Sequence, residues 1–138
     1  MIVLDTNVVF ELMRADPAPA VVAWADRQQE ITLFITSITL AEIRVGVAAL
    51  PHGRRRTALA TAFEAGIRPM FGNRVLDFDE PASTAYAELC AEARARGLAI
   101  GDVDAMIAAI ARVHHYSIAT RDVTAFEAAG VPVIDPFG

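Results

Sequence analysis

The sequence predicts an α/β fold of three layers, a mostly parallel central sheet of about five strands held between two layers of helices. Two observations carry that reading. Short apolar, β-branched runs without a polar face alternate along the chain with stretches of helical periodicity. The chain also has 138 residues, 54% of them hydrophobic and 21% charged, which suits one ordinary domain with a buried core. No repeat, low-complexity tract or linker interrupts it, so residues 1–138 are read as a single domain.

Ile2–Asp5 reads as a buried strand. Helix follows Asp5 and breaks near Asp16-Pro17-Ala18-Pro19, where proline suits the first turn of a second helix running to Gln29. Ile31–Thr36 is β-branched and aromatic and reads as a strand. In the stretch SITLAEIRVGVAAL, Thr39 and Glu42 have the spacing of a capping box at the start of a third helix. Pro51-His52-Gly53 breaks that pattern, and a helix with a basic start runs from Arg54 to Gly66. A short strand over Arg74–Phe78 comes next, then a long helix over Glu80–Arg96 closed by Gly97. GDVDAMIAAIARVHH is a further helix, with Val103, Ile107 and Ile110 as its apolar stripe and His114-His115 at its C-terminal end. Tyr116–Thr120 is a strand, Val123–Ala129 a helix closed by Gly130, and Val131–Ile134 a last strand.

The net charge of −5 argues against holding nucleic acid by bulk charge. Such a role then needs a local basic patch or a bridging cation. All twelve basic residues are arginine, which removes any chemistry that depends on lysine. The single cysteine, Cys90, makes no internal disulfide and suits a reducing, cytoplasmic setting. No segment reads as a signal peptide, and no apolar stretch reaches the roughly 20 residues of a membrane span.

Ligands of open α/β sheets bind beyond the carboxyl ends of the strands. Asp5 ends the first predicted strand, Glu42 lies in the first turn after the second, and Asp122 follows Tyr116–Thr120. Asp104 sits near the start of a helix whose preceding connection reaches the same edge. Each acid alone has a plain structural reading. Asp5 and Asp122 suit helix caps, Glu42 completes its capping box, and Asp104 favours a helix N-terminus. Those readings do not explain why the acids share one rim without a lysine to neutralise them. Clustered carboxylates persist when a cation binds between them, and oxygen-only donors suit Mg²⁺ or Mn²⁺. No cysteine pair or HxxxH spacing supports zinc. Pattern alone leaves Asp102 and Asp104 open as the acid of their helix.

Five stretches, in order, resemble PIN-domain ribonucleases, specifically toxins of the VapC type and their FitB-like relatives. They are MIVLDTNVV, SITLAEIRVGVAALPHGRRR, RVLDFDEPASTAYAEL, DAMIAAIA and IATRDVTAF, and together they span essentially the whole chain. The resemblance implies a PIN-like fold and metal-dependent endonucleolytic cleavage of RNA by the toxin of a toxin–antitoxin pair. It carries the family's acids onto Asp5, Glu42, Asp104 (in preference to Asp102) and Asp122 as catalytic and metal-binding residues. Many relatives have asparagine after TR and aspartate before the final phenylalanine. Here those positions are Asp122 and Ala125, so the fourth carboxylate depends on Asp122. Thr6, Asn7 and Thr120 match the polar residues around the family's acids, with Thr6 and Asn7 expected to steady Asp5. The implied partners are an RNA substrate, a small VapB-like antitoxin and a second copy of the chain in a homodimer.

In that reading Asp5 and Asp104 contact one or two Mg²⁺ ions directly, while Glu42 and Asp122 act through water or orient the nucleophile. Arg44, Arg54, Arg55, Arg56 and Arg121 are the candidates for gripping RNA, although Arg54–Arg56 also reads as a solvated helix start. Residues near Val8–Met13 and Val45–Leu50 are candidates for a partner surface. Rival chemistries fit less well. Dehalogenase-like phosphatases need a second aspartate two residues on, where Asn7 stands, and a lysine. Receiver domains and P-loop sites need lysine too. The remaining alternative is a catalytically weak module of this fold that acts through protein or nucleic-acid binding.

Overall fold

The computed structural model describes residues 1–138. Its strands are β1 (Ile2–Leu4), β2 (Leu33–Thr36), β3 (Val75–Leu76), β4 (Ser117–Ala119) and β5 (Val133–Ile134). All pair in parallel, in the order β3-β2-β1-β4-β5. The helices are α1 (Thr6–Met13), α2 (Pro19–Asp26), α3 (Ser37–Ala48), α4 (Arg54–Thr61), α5 (Arg68–Phe71), α6 (Glu80–Ala95), α7 (Asp102–His114) and α8 (Val123–Ala128). The expected α/β architecture, a five-stranded parallel sheet flanked by helices, is what the chain adopts.

Successive strand residues point to opposite faces, and both faces are covered. Leu4, Ile35 and Ala119 pack with Val8, Ile43, Val47 and Phe63 from α1, α3 and the segment after α4. Val3 and Ile118 pack on the other side with Leu89, Ile107 and Phe126 from α6, α7 and α8. That double burial is why the strands read as unbroken apolar runs. The chain adds β2 and β3 on one side of β1, then crosses to add β4 and β5 on the other. The order therefore reverses beside β1, which opens a crevice above the carboxyl ends of β1 and β4.

Several boundaries differ from expectation for local reasons. The residue Thr36, not Thr39, caps α3: its hydroxyl accepts the Thr39 N–H at 3.0 Å. Glu42 consequently sits in the second turn, and its side chain takes no part in capping. Helix α2 stops at Asp26, and a 3₁₀ turn over Glu30–Thr32 leaves Ile31 exposed instead of in a strand. The helix expected to end near Gly66 continues through a π-helical turn, Ala62–Ile67, into α5. Pro69 has no N–H to give, and the Arg68 N–H bonds five residues back to the Phe63 carbonyl. Strand β3 is shortened at both ends. Arg74 uses its guanidinium to bond the Leu33 carbonyl at 2.9 Å, and the Phe78 N–H goes to Ser37 Oγ at 3.3 Å. In α7, Val103 is exposed, and the buried face is Ala105, Ile107, Ala108, Ala109, Ile110 and Ala111.

Candidate active site

The crevice above β1 and β4 collects the predicted acids. Asp5 follows β1 in extended backbone and caps α1, with its Oδ1 accepting the Thr6 N–H at 2.8 Å. Its Oδ2 accepts the hydroxyl proton of Thr120, the residue after β4, at 2.7 Å. The Asn7 amide nitrogen lies 3.3 Å from that oxygen and 3.2 Å from Asp122 Oδ2, while the Asn7 Oδ1 accepts the Arg121 N–H at 3.1 Å. Asp122 precedes α8 but makes no side-chain cap bond. Its carboxylate turns to the crevice instead. Asp104 enters from the first turn of α7. One carboxylate oxygen each from Asp5, Asp104 and Asp122 lies within 4.8 Å of the other two.

Helical geometry separates the two aspartates of α7. Residues two apart lie on opposite sides of a helix. Asp104 is half-buried and feels the charges of Asp122 and Glu42. Asp102 is exposed, and its charge acts on Tyr86 of α6. Glu42 stands beside the three aspartates without joining their tight group. Its Oε1 accepts a hydrogen bond from the Thr6 hydroxyl. Thr6 therefore serves two acids, Asp5 through its backbone and Glu42 through its side chain, where the sequence suggested Asp5 alone.

The charges in the crevice are uncompensated. Asp5 is 2% exposed. Its pKa is raised from 3.8 to about 6, first by burial and then by Asp104 and Asp122, against the lowering effect of the bonds from Thr120 and Thr6. Asp104 is raised as well, by burial, Asp122 and Glu42. Glu11 gives the contrast. It too is buried, at 6% exposure, yet its pKa is lowered, chiefly by the Ala18 N–H and also by Arg14. The Ala18 bond is 2.9 Å and the Arg14 ion pair 3.0 Å. Sequence reading passed over Glu11, which pins the turn between α1 and α2. The chain's three salt bridges, Arg14–Glu11, Arg44–Glu64 and Arg112–Glu92, reach none of the four acids in the crevice. Oxygen donors with shared negative charge and no neighbouring ion pair fit a hard divalent cation.

The candidate arginines divide. Arg121 and Arg55 line a groove of ≈ 870 Å³ that runs from Asn7 between α1, α3 and α4. Phe10, Met13, Val47 and Leu50 form part of its apolar lining, so it lies between the two stretches expected to hold a partner surface. Arg121 also stacks on Phe137, its guanidinium carbon 3.8 Å from the ring centroid. Arg44 is paired with Glu64 at 3.0 Å, Arg56 lies against His52, and Arg54 is exposed.

Comparison with known proteins agrees with this fold. The PIN domain family model matches residues 2–131. A VapC ribonuclease of Sinorhizobium fredii is 49% identical over 137 residues, covering 99% of this chain and 98% of the relative. The toxin FitB of Neisseria gonorrhoeae is 42% identical over 137 residues, 99% of each chain. The solved structure of FitAB bound to a DNA fragment superposes with a TM-score of 0.94 at 41% identity, covering 100% of this chain and 96% of that one.

Proposed function

The chain belongs to the PIN-domain family, as a VapC-type, FitB-like protein of toxin–antitoxin systems, and from that premise we propose that it is a divalent-cation-dependent endoribonuclease. The observation that carries the reading is the approach of Asp5, Asp104 and Asp122 within 4.8 Å at the carboxyl ends of β1 and β4. In this reading Asp5, Asp104 and Asp122 hold Mg²⁺, or Mn²⁺ in its place, and Glu42 lies at their flank. A cation bound there supplies positive charge at the phosphodiester and lowers the pKa of a water molecule. The protein's own residues do the rest. Asp5 is held from both sides by Thr6 and Thr120, so its orientation is set before any substrate arrives. Asn7 spans Asp5 and Asp122 and keeps the two carboxylates in register. Arg121, next to Asp122 in the chain, and Arg55 line the groove that starts at Asn7 and offer positive charge for the flanking RNA backbone.

The same reading assigns the partner. FitB-like toxins include one solved as FitAB, and a small antitoxin of that kind fits the apolar groove lined by Phe10, Met13, Val47 and Leu50. A homodimer belongs to the reading too, as the family resemblance implies.

The deciding experiment compares wild-type and Asp5→Asn proteins on structured RNA with Mg²⁺. Loss of cleavage in the variant is the expected result. Cleavage by the variant at the wild-type rate would overturn the assignment of the metal site to these acids, and no cleavage by the wild type would favour a binding module. Sequencing of RNA ends after brief induction, with Asp5→Asn as control, then identifies the target.

A further inference from the structure

Glu42 has one hydrogen bond, from Thr6, and no ion pair. A half-buried glutamate with three rotatable side-chain bonds needs more than that to stay in one place. Behind Thr6 stand two further hydroxyls, Thr39 and Thr36, both 0% exposed. Thr39 Oγ1 lies 3.1 Å from Thr6 Oγ1, and Thr36 Oγ1 lies 3.3 Å from Thr39 Oγ1. Thr36 ends β2 and already accepts the Thr39 N–H as the cap of α3.

Proton counting gives this chain of contacts a direction. Each hydroxyl has one proton to donate. Thr6 spends its proton on Glu42 Oε1. Its oxygen can then only accept from Thr39, and the Thr39 oxygen can only accept from Thr36. All three protons point from the end of β2 toward the carboxylate. Each donor polarises the next, so the bond that reaches Glu42 is strengthened by the two behind it. No buried side-chain polar atom lacks a partner anywhere in the chain, so the relay is complete at its inner end.

We propose that Thr39, backed by Thr36, is a positioning residue for Glu42. It fixes the carboxylate beside Asp104 by holding Thr6 in the one orientation that donates to it. Helix capping does not account for Thr39, because capping uses its N–H and leaves its hydroxyl free. The role of Glu42 itself rests on the nuclease reading; its placement by the relay does not.

The test uses the full chain with Thr39→Val, which keeps the side chain's shape, and Thr39→Ser, which keeps the hydroxyl. Metal-free crystals report where Glu42 points, and Mn²⁺ titration followed by electron paramagnetic resonance reports affinity. In Thr39→Val, Glu42 should leave the Thr6 hydroxyl, and the Mn²⁺ Kd should rise about tenfold, the low end for residues that orient metal ligands. Thr39→Ser should restore both the position and the affinity. Glu42 unmoved in Thr39→Val would overturn the proposal. So would a Thr39→Ser protein as impaired as Thr39→Val, since the methyl group would then be what matters. If Thr39→Val does not fold, Thr39→Ala removes the same hydroxyl without crowding and carries the same outcomes. Wild-type protein that binds no Mn²⁺ would defeat the nuclease reading, while the position of Glu42 in the metal-free crystals still decides the relay.

Discussion

Thr120 and Asp5 meet across 115 residues of chain, the Thr120 hydroxyl donating to Asp5 Oδ2 at 2.7 Å. The same Thr120 oxygen takes the Asp122 N–H at 2.9 Å. One fully buried side chain thus ties the ends of β1 and β4 to two of the clustered acids. Thr120→Val removes the bond to a charged group and strands the Asp122 N–H. A loss of roughly 2 kcal/mol in stability is expected at pH 8, where Asp5 is ionised. The loss should narrow at pH 5, where Asp5 is largely protonated. Urea unfolding at the two pH values checks both statements.

The raised pKa of Asp5 makes a wider prediction about pH. An acid whose folded pKa, about 6, exceeds its ordinary 3.8 is harder to ionise in the fold than in the unfolded chain. Asp5 therefore lowers the stability of the metal-free protein as pH rises from about 4 to about 7, by up to roughly 3 kcal/mol, while Glu11, whose pKa is lowered, works the other way near the bottom of that range. Asp104, raised as well, pushes in the same direction as Asp5. Asp5→Asn should flatten this slope and leave the metal-free protein more stable than wild type at neutral pH. Unfolding curves in chelator across that range measure the slope, and a wild-type protein most stable at pH 7 would contradict it.

Much of this site was legible because a parallel sheet has one functional edge. Once Ile2-Val3-Leu4 and Ser117-Ile118-Ala119 are strands, Asp5 and Asp122 must meet beyond their carboxyl ends. What sequence patterns did not resolve depends on rotation or on distant contacts. Asp102 and Asp104 differ only in helical phase, about 200° apart around α7. Thr39-Leu-Ala-Glu42 fits the capping box better than Thr36-Ser-Ile-Thr39 does, yet Thr36 is the cap of α3. The contact between Thr6 and Thr39 joins residues 33 apart, and no local pattern encodes it. The π-helical turn before Pro69 was likewise invisible to a periodicity of 3.6.

The phase argument gives a paired test. Asp104→Asn removes an oxygen donor from the cluster and should lower Mg²⁺-dependent cleavage at least 100-fold, about the most that partners around a metal contribute. Asp102→Asn sits on the other side of α7 and should stay within about twofold of wild type, as an exposed substitution away from the site. Equal losses in the two variants would overturn the distinction between the two aspartates, and a larger loss in Asp102→Asn would reverse it.

Gly46 and Phe10 set the width of the apolar groove. A Cβ on Gly46 would lie 2.8 Å from Phe10 Cζ, so Gly46→Ala forces the ring to move. Both residues line the groove, and the displaced ring narrows it, while the strain is offset by the roughly 0.5–1 kcal/mol of helix propensity gained at a mid-helix glycine, so stability should change little. Binding of a cognate antitoxin should weaken, while RNA cleavage by the free protein persists, because neither residue contacts the acids. Calorimetric titration with antitoxin, beside a cleavage assay, separates the two effects.

Arg121 supplies the last prediction, because its charge and its position can be altered separately. The guanidinium stacks on Phe137 at 3.8 Å, and the Arg121 N–H is fixed by Asn7 at 3.1 Å. If Arg121 meets an RNA phosphate, Arg121→Ala should weaken binding about tenfold and reduce the salt dependence by about one phosphate contact. Phe137→Leu leaves the charge in place but removes the aromatic face, which is worth roughly 0.5–1 kcal/mol at an exposed site. Binding should then fall only about threefold, with the salt dependence unchanged. Anisotropy titrations of labelled RNA in chelator, repeated over a series of salt concentrations, measure both quantities. A Phe137→Leu protein with a reduced salt slope would mean that the stack sustains the ionic contact itself; an Arg121→Ala protein with wild-type affinity would remove Arg121 from the RNA path.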